Sequence, residues 1–317
     1  MTGAPPPPPG AAVARNASPD TTRTRVHGKH FPSRIGALRS LVKERIVLMV
    51  VAATALGYGS AGAAPDGGAV LALVLIGTAL LSAGSGVLNN VLEHEVDARM
   101  ERTRRRALPR GAVSRRAAAW FGALLLAAGA LLLWRGGGVL PALIGMLAAL
   151  LYLLVYTPMK RRSWLNTPLG AIPGALPPLI GWSAAAGGLQ AGAWILFAVL
   201  FLWQHPHFYA IAWAYRDDYR RAGLKMASEV GAGGRFLTTQ VIVFAAALIP
   251  VSMALTATGT TGAAYAAGAL VIGLLYLAAG VSFARRRDQD SARRLLRASV
   301  LYLPALLAIV IVDGWLP

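Results

Sequence analysis

Carboxylates are scarce in this chain, 13 Asp plus Glu against 31 Lys plus Arg. Three of them, Glu93, Glu95 and Asp97, nevertheless fall together where an apolar run ends. If the helix of that run continues, Asn89, Glu93 and Asp97 recur at every fourth position and share one face. Arg99, Arg102, Arg104, Arg105 and Arg106 follow directly. Hard oxygen ligands beside a group of guanidiniums suit Mg²⁺ holding a phosphorylated substrate. The plainer alternative is a helix end entering a charged loop, where acid–arginine pairs are worth little. The shortage of acid elsewhere and the helical spacing favour chemistry, because ionisable groups at the edge of a bilayer are costly to keep.

Other polar residues interrupt apolar runs in the same way. Tyr156-Thr157-Pro158-Met159-Lys160-Arg161 closes one run, and Asn166-Thr167-Pro168 opens the next, in which Pro173, Pro177 and Pro178 break the backbone ladder. Such a helix either kinks for packing or lines a cavity that accepts its freed carbonyls. Trp203-Gln204-His205-Pro206-His207 places two imidazoles in an apolar stretch, either as hydrogen-bonded packing groups or as groups that orient a porphyrin, bind its iron or handle a proton. Asp217 and Asp218, flanked by Arg216, Arg220 and Arg221, form a second acidic site. Alone they read as an ordinary solvated loop; facing the first cluster they complete a clamp for Mg²⁺ and diphosphate. Among the arginines after Asp97, most serve topology, and Arg102 with Arg105 or Arg106 are the candidates to grip a diphosphate bidentately.

Positioning these residues is the work of a membrane bundle. Hydrophobic residues make up 56% of the 317 positions, above the roughly 45–50% of soluble domains. About nine apolar windows are long enough to span a bilayer, near 47–62, 69–89, 117–134, 139–156, 168–186, 191–209, 237–258, 263–283 and 298–315. The expected fold is all-α: a polytopic bundle of about nine transmembrane helices around a cytoplasm-facing cavity. The net charge of +18 lies in alternate loops, so it reads as a topology signal rather than a nucleic-acid footprint. That alternation predicts a cytoplasmic N-terminus, an outer C-terminus and both acidic sites on the cytoplasmic side of the plasma membrane. No cysteine is present, which excludes thiolate metal sites and disulfides. Residues 1–33, with their proline run at 5–9, read as a disordered tail without a signal-peptide core. Residues 34–317 read as the one membrane domain, and the Asn16-Ala17-Ser18 sequon in the tail carries no meaning.

Taken in order, these motifs resemble the intramembrane prenyltransferases. Asn-x-x-x-Glu-x-x-x-Asp, then Arg99, Met100, Arg102 and Thr103, is similar to the first acidic motif of that superfamily. Tyr-Thr-Pro-x-Lys-Arg, Asn-Thr-x-x-Gly-x-x-Pro-Gly-Ala-x-Pro-Pro, Trp-Gln-x-Pro-His-Phe and Asp-Tyr-x-x-Ala-Gly resemble its haem-farnesylating branch, over the chain from about Leu41 onward. Departures are Glu93 and Glu95 where many members carry Asp, Glu44 within Lys43-Glu44-Arg45, and Ala107 before Leu108. The resemblance implies transfer of a farnesyl group from farnesyl diphosphate to a vinyl carbon of haem B, with addition of water. It implies Mg²⁺ on Glu93, Asp97 and Asp218 with Asn89 in support, diphosphate donors among Arg102, Arg105, Arg106, Lys160 and Arg161, and haem held by His205 or His207. A downstream haem A synthase is the protein partner that such a product suggests. The rival readings are a prenyltransferase for an aromatic quinone precursor, and a non-catalytic haem or lipid carrier.

Overall fold

A computed structural model describes residues 2–3, 34–62 and 67–313. Everything below concerns residues 31–317, one of the two units into which the chain divides. The expected tail at 4–33 and its sequon lie outside the described residues, as do Asp66 and Trp315.

The regular secondary structure of the described residues is all helical, without a strand. A short helix α1 (Arg34–Arg39) leads into α2 (Glu44–Ser60), α3 (Gly68–Leu92), α4 (His94–Arg99), α5 (Arg115–Gly137) and α6 (Val139–Leu150). A π-helical turn (Leu151–Tyr156) passes into α7 (Thr157–Met159), then come α8 (Asn166–Ala175), α9 (Pro177–Ala186) and α10 (Ala191–Ala214). The chain ends with α11 (Arg216–Arg221), α12 (Arg235–Ala257), α13 (Ala263–Arg286) and α14 (Gln289–Asp313). Eight helical segments among the described residues are long and apolar enough to cross a membrane. The expected span at 47–62 is present as α2, but its described helix has 17 residues, about 26 Å at 1.5 Å per residue, which is short of a full hydrocarbon core. Leu48, Trp120, Leu154, Leu275 and Leu301 are 66–73% exposed on the outer faces, as a lipid-facing surface requires. The protein is therefore a multi-pass, all-α membrane protein.

Small residues set how closely the helices approach. Helix α3 packs mainly on α5, α2 on α9, and α12 on both α10 and α13. A Cβ on Gly129 would lie 2.7 Å from Gly77 O, and one on Gly84 would lie 2.7 Å from Gly122 O. Glycines at these crossings let the backbones touch, which is where helix association in lipid finds its contact energy. The break between α8 and α9 follows from sequence: Pro177 has no N–H to return to Pro173 O, and the helix restarts with Pro177 and Pro178 in its first turn. Gln204 of α10 donates to Ala171 O (3.0 Å) beside this break, so the neighbouring helix supplies bonds to it.

The basic loops join at one end. Lys225 N donates to Lys160 O (2.9 Å), Asn166 Nδ2 to Lys225 O (2.7 Å), and Gln289 Nε2 to Ala214 O (3.3 Å). These bonds tie the segments after α7 and α11 to each other, and the start of α14 to the end of α10.

Candidate active site

Helix α3 bends at Glu93, whose φ of −99° and ψ of 8° leave the regular helix, yet the ladder is not lost. Glu93 N donates to Asn89 O (2.9 Å) and Asp97 N to Glu93 O (2.8 Å). The expected common face survives the bend: Asn89, Glu93 and Asp97 are 0, 9 and 4% exposed.

Each of the three is held by a cation or a polar group from a distant segment. Lys43 Nζ donates to Asn89 Oδ1 (2.6 Å) and reaches the Tyr152 hydroxyl (3.4 Å). Asn89 Nδ2 donates to Thr157 Oγ1 (2.9 Å), and Thr157 in turn donates to Tyr152 O (2.8 Å) inside the π-helical turn. Pro158 explains that turn, since it offers no N–H to Leu154 O and its ring presses on that carbonyl. Lys160 Nζ lies 2.9 and 3.1 Å from the two Glu93 carboxylate oxygens and 4.4 Å from the Tyr156 ring centre. Arg106 Nη1 donates to Asp97 Oδ2 (2.7 Å) and to Asn90 Oδ1 (3.4 Å). Thr103 Oγ1 donates to Asp97 O (2.9 Å), which folds the loop after α4 back over the cluster.

Electrostatics follow from this crowding. Burial, with the like charges of Arg106 and Lys160, brings the Lys43 ammonium down to about 7. Burial opposes ionisation of Glu93, but the Lys160 charge and hydrogen bond outweigh it and hold the carboxyl below its usual range. For Lys160, burial is likewise overcome, by Tyr156 and Glu93, so its ammonium is held charged.

The motif reading gathers Asp218 with Glu93 and Asp97 as a third ligand; the contacts of its carboxylate are with the loop of the first motif and with Arg221. The Asp218 oxygens instead accept Glu101 N (2.9 Å) and Arg102 N (3.2 Å), and Arg221 Nη2 donates to Oδ1 (2.6 Å). Against the cost of burial, these donors keep its carboxyl below the ordinary range. Asp218 thus fastens the first acidic loop to the second, because two backbone N–H groups at the end of a tight loop need an acceptor. Asp217 is exposed and pairs weakly with Arg220 at 3.6 Å.

The undecided arginines separate. Arg106 enters the cluster, Arg105 and Arg161 are exposed, and Arg102 stacks over the Tyr215 ring at 5.1 Å. The two histidines stand apart from the acids. His205 is fully buried, with Nδ1 2.6 Å from Phe201 O and its ring 3.8 Å from that of Phe244 on α12. His207 Nδ1 lies 2.7 Å from Ser299 Oγ on α14, and its ring stacks on Trp203. Thr157 enters with the Tyr-Thr-Pro motif, whereas Lys43 and Tyr152 join the site unexpected; Lys43 lies 46 residues from Asn89, where sequence shows only one basic residue among several.

The arrangement is a buried acid pair flanked by three cations, suited to an incoming polyanion with a divalent metal. Residues 47–303 match the UbiA prenyltransferase family. The chain is 47% identical to the protoheme IX farnesyltransferase of Solibacter usitatus, over 75% of this chain and 82% of that protein. It is 42% identical to that of Salinibacter ruber over 79 and 88%, and 39% identical to that of Myxococcus xanthus over 89 and 96%. Among solved structures, a digeranylgeranylglyceryl phosphate synthase aligns with a TM-score of 0.72 at 17% identity, covering 89% of this chain and 98% of that one. A UbiA homolog from Aeropyrum pernix K1 aligns with a TM-score of 0.67 at 21% identity over 86 and 98%. One from Archaeoglobus fulgidus, bound to GPP and Mg²⁺, gives 0.58 at 15% over 88 and 100%. Helix order, the buried acidic cluster and these likenesses agree: the chain belongs to the UbiA prenyltransferase family.

Proposed function

We propose that this protein transfers a farnesyl group from farnesyl diphosphate to a vinyl carbon of protohaem, adding water and releasing pyrophosphate. The observation that carries the donor half is the buried Glu93–Lys160 and Asp97–Arg106 pairing next to Lys43. The acceptor half rests on the relatives, which are protoheme IX farnesyltransferases. The membrane is proposed to be the plasma membrane, with the acidic face and the N-terminus in the cytoplasm; the domain is proposed to run from residue 34 to the C-terminus. The product would pass to an enzyme that oxidises it, a haem A synthase.

The donor set fits Mg²⁺. Glu93 and Asp97 offer hard oxygens one helical turn apart, and Mg²⁺ is commonly bound by one or two carboxylates, its remaining ligands being substrate phosphate and water. Bound there, the metal would neutralise charge on the diphosphate leaving group. The protein's own residues do the rest. Lys160, Arg106 and Lys43 direct N–H donors to the place where negative charge develops as the allylic C–O bond breaks. Asn89 fixes Lys43 through Oδ1 and the π-helical turn through Nδ2. Asp218 holds the backbone of Glu101 and Arg102, so the loop bearing Arg106 stays over the cluster. The apolar bundle keeps water from the farnesyl cation until the vinyl carbon attacks it. His205 and His207 remain candidates to orient the porphyrin.

Protein in nanodiscs, given protohaem, farnesyl diphosphate and Mg²⁺, should yield a farnesylated, hydrated haem by mass. The product should vanish with EDTA and with Asp97→Ala. Prenylation of a phenolic acceptor in place of haem would refute the reading.

A further inference from the structure

Sequence gives no way to rank the two histidines of α10, and their surroundings separate them. Successive side chains turn about 100° around a helix, so the neighbours of α10 fix which way each one points. Gln204 donates to Ala171 O of α8 (3.0 Å), and Trp203 Nε1 donates to Ser299 O of α14 (2.8 Å). His207, one turn on from Trp203, lies at an azimuth between those two contacts, on the side that faces α8 and α14. Trp194, 51% exposed on the outer surface, lies about 140° away around the same helix. His207 therefore points into the bundle. Before it, Leu200, Trp203 and Gln204 are buried on this face, whereas His207, Ile211 and Ala214 are half-buried. The open part of the face begins at His207 and runs about 12 Å along the helix to Tyr215, which touches Arg102 of the acidic loop.

The His207 ring is held in one tautomer. Ser299 Oγ donates to Leu296 O (2.6 Å), which uses its only proton, so in the 2.7 Å contact between Ser299 Oγ and His207 Nδ1 the imidazole is the donor. Stacking on Trp203, with ring centres 5.3 Å apart, fixes the ring plane. Nε2 keeps its lone pair, is open, and meets no donor among the described residues. His205 has Nδ1 on Phe201 O in the same way, but its Nε2 is closed off without a partner, behind the Phe244 ring. That lone pair reaches nothing.

A neutral imidazole with Nδ1–H anchored and Nε2 free is how a protein presents a nitrogen ligand to a metal. Mg²⁺ takes oxygen ligands, whereas imidazole suits iron, and the chain has no cysteine to offer a thiolate. We propose that His207 Nε2 ligates the iron of the acceptor porphyrin and that Ser299 positions the ring; this rests on the acceptor reading above. The porphyrin held there stands at the inner end of the open face, beneath the acidic loop.

The test titrates ferric protohaem into the full-length protein in phosphatidylcholine nanodiscs without farnesyl diphosphate, read by Soret absorbance and electron paramagnetic resonance. The parent should show imidazole-ligated iron. His207→Ala should lose that spectrum, bind protohaem more than about tenfold more weakly, and regain the spectrum when imidazole is added. Ser299→Ala, which removes only the acceptor for Nδ1–H, should keep the spectrum and weaken binding about tenfold. His205→Gln should keep the spectrum as well. Iron-free protoporphyrin IX should bind the parent and His207→Ala alike, since it has no metal to ligate. Equal weakening for both porphyrins would make His207 a packing residue and overturn the proposal. So would an unchanged iron spectrum in His207→Ala, or a parent that does not ligate the iron. Prenylation of a phenolic acceptor by a protein that still ligates iron through His207 would defeat the acceptor reading and support the ligation. Farnesylated haem from a protein whose iron spectrum ignores His207 would support the reaction and overturn the ligation.

Discussion

Lys160 and Glu93 offer the sharpest test of how the site is held together. Lys160 Nζ lies 2.9 and 3.1 Å from the two carboxylate oxygens, and the side chains are 15 and 12% exposed. Lys160→Met leaves a buried carboxylate without its counter-charge, which costs about 3 kcal/mol, the lower end for a broken buried pair. Glu93→Gln leaves the ammonium stranded and costs a similar amount. In the double variant neither charge remains, and most of the loss should return, leaving about 1 kcal/mol and a coupling energy well above 2 kcal/mol. Reversible SDS unfolding in mixed micelles, followed by tryptophan fluorescence, measures all four proteins. Farnesyl transfer should stay abolished in the double variant despite its recovered stability, because the donors to the diphosphate are gone. A Lys160→Met protein within about 0.5 kcal/mol of the parent, or a double variant that loses the sum of the singles, would refute the reasoning.

Three further outcomes follow from particular contacts. Lys43, brought down to about 7 by burial and by its cationic neighbours Arg106 and Lys160, would on the proposed function meet diphosphate in its protonated form. The kcat/KM for farnesyl diphosphate should therefore fall as pH rises through about 7, and Lys43→Met should flatten that limb. The same depression means that the unfolded chain, with Lys43 near 10.5, binds more protons between those values, so this group makes stability rise with pH across that window. Asp218→Ala should free the backbone of Glu101 and Arg102, read as about tenfold faster trypsin cleavage at Arg102 to Arg106 with the bundle intact. Gly181→Ala sets a methyl against Thr54 O and 2.7 Å from Tyr58 N, where α2 meets α9. It should cost more than about 3 kcal/mol, whereas Gly59→Ala, with nothing within 4 Å, should leave thermal stability in detergent unchanged or higher.

Much of the site was legible because its parts are local. Asn89, Glu93 and Asp97 sit on one helical face whatever the bundle does around them, and the bend at Glu93 leaves the i to i+4 bonds in place. Pro177 and Pro178 mark the break after α8 from sequence alone, since a missing N–H disturbs the ladder inside a helix. Asp218 was legible as an acid near the site, but its bonds to Glu101 and Arg102 were not, because backbone N–H groups carry no side-chain signature. The choice of Arg106 over Arg105 was equally closed to sequence, since a loop with no period does not fix which of two neighbours turns inward.

By itself, the sequence determined the all-α membrane class, the order of helices and loops, and the acidic motifs on one face, because hydropathy, proline and helical periodicity act over a few residues. Tertiary structure decided the partners: Lys43 on Asn89, Lys160 on Glu93, and the Asp218 tie. Those contacts join residues 46 to 117 positions apart, and which side chains meet across such separations is set by how closely glycine-lined helices pack.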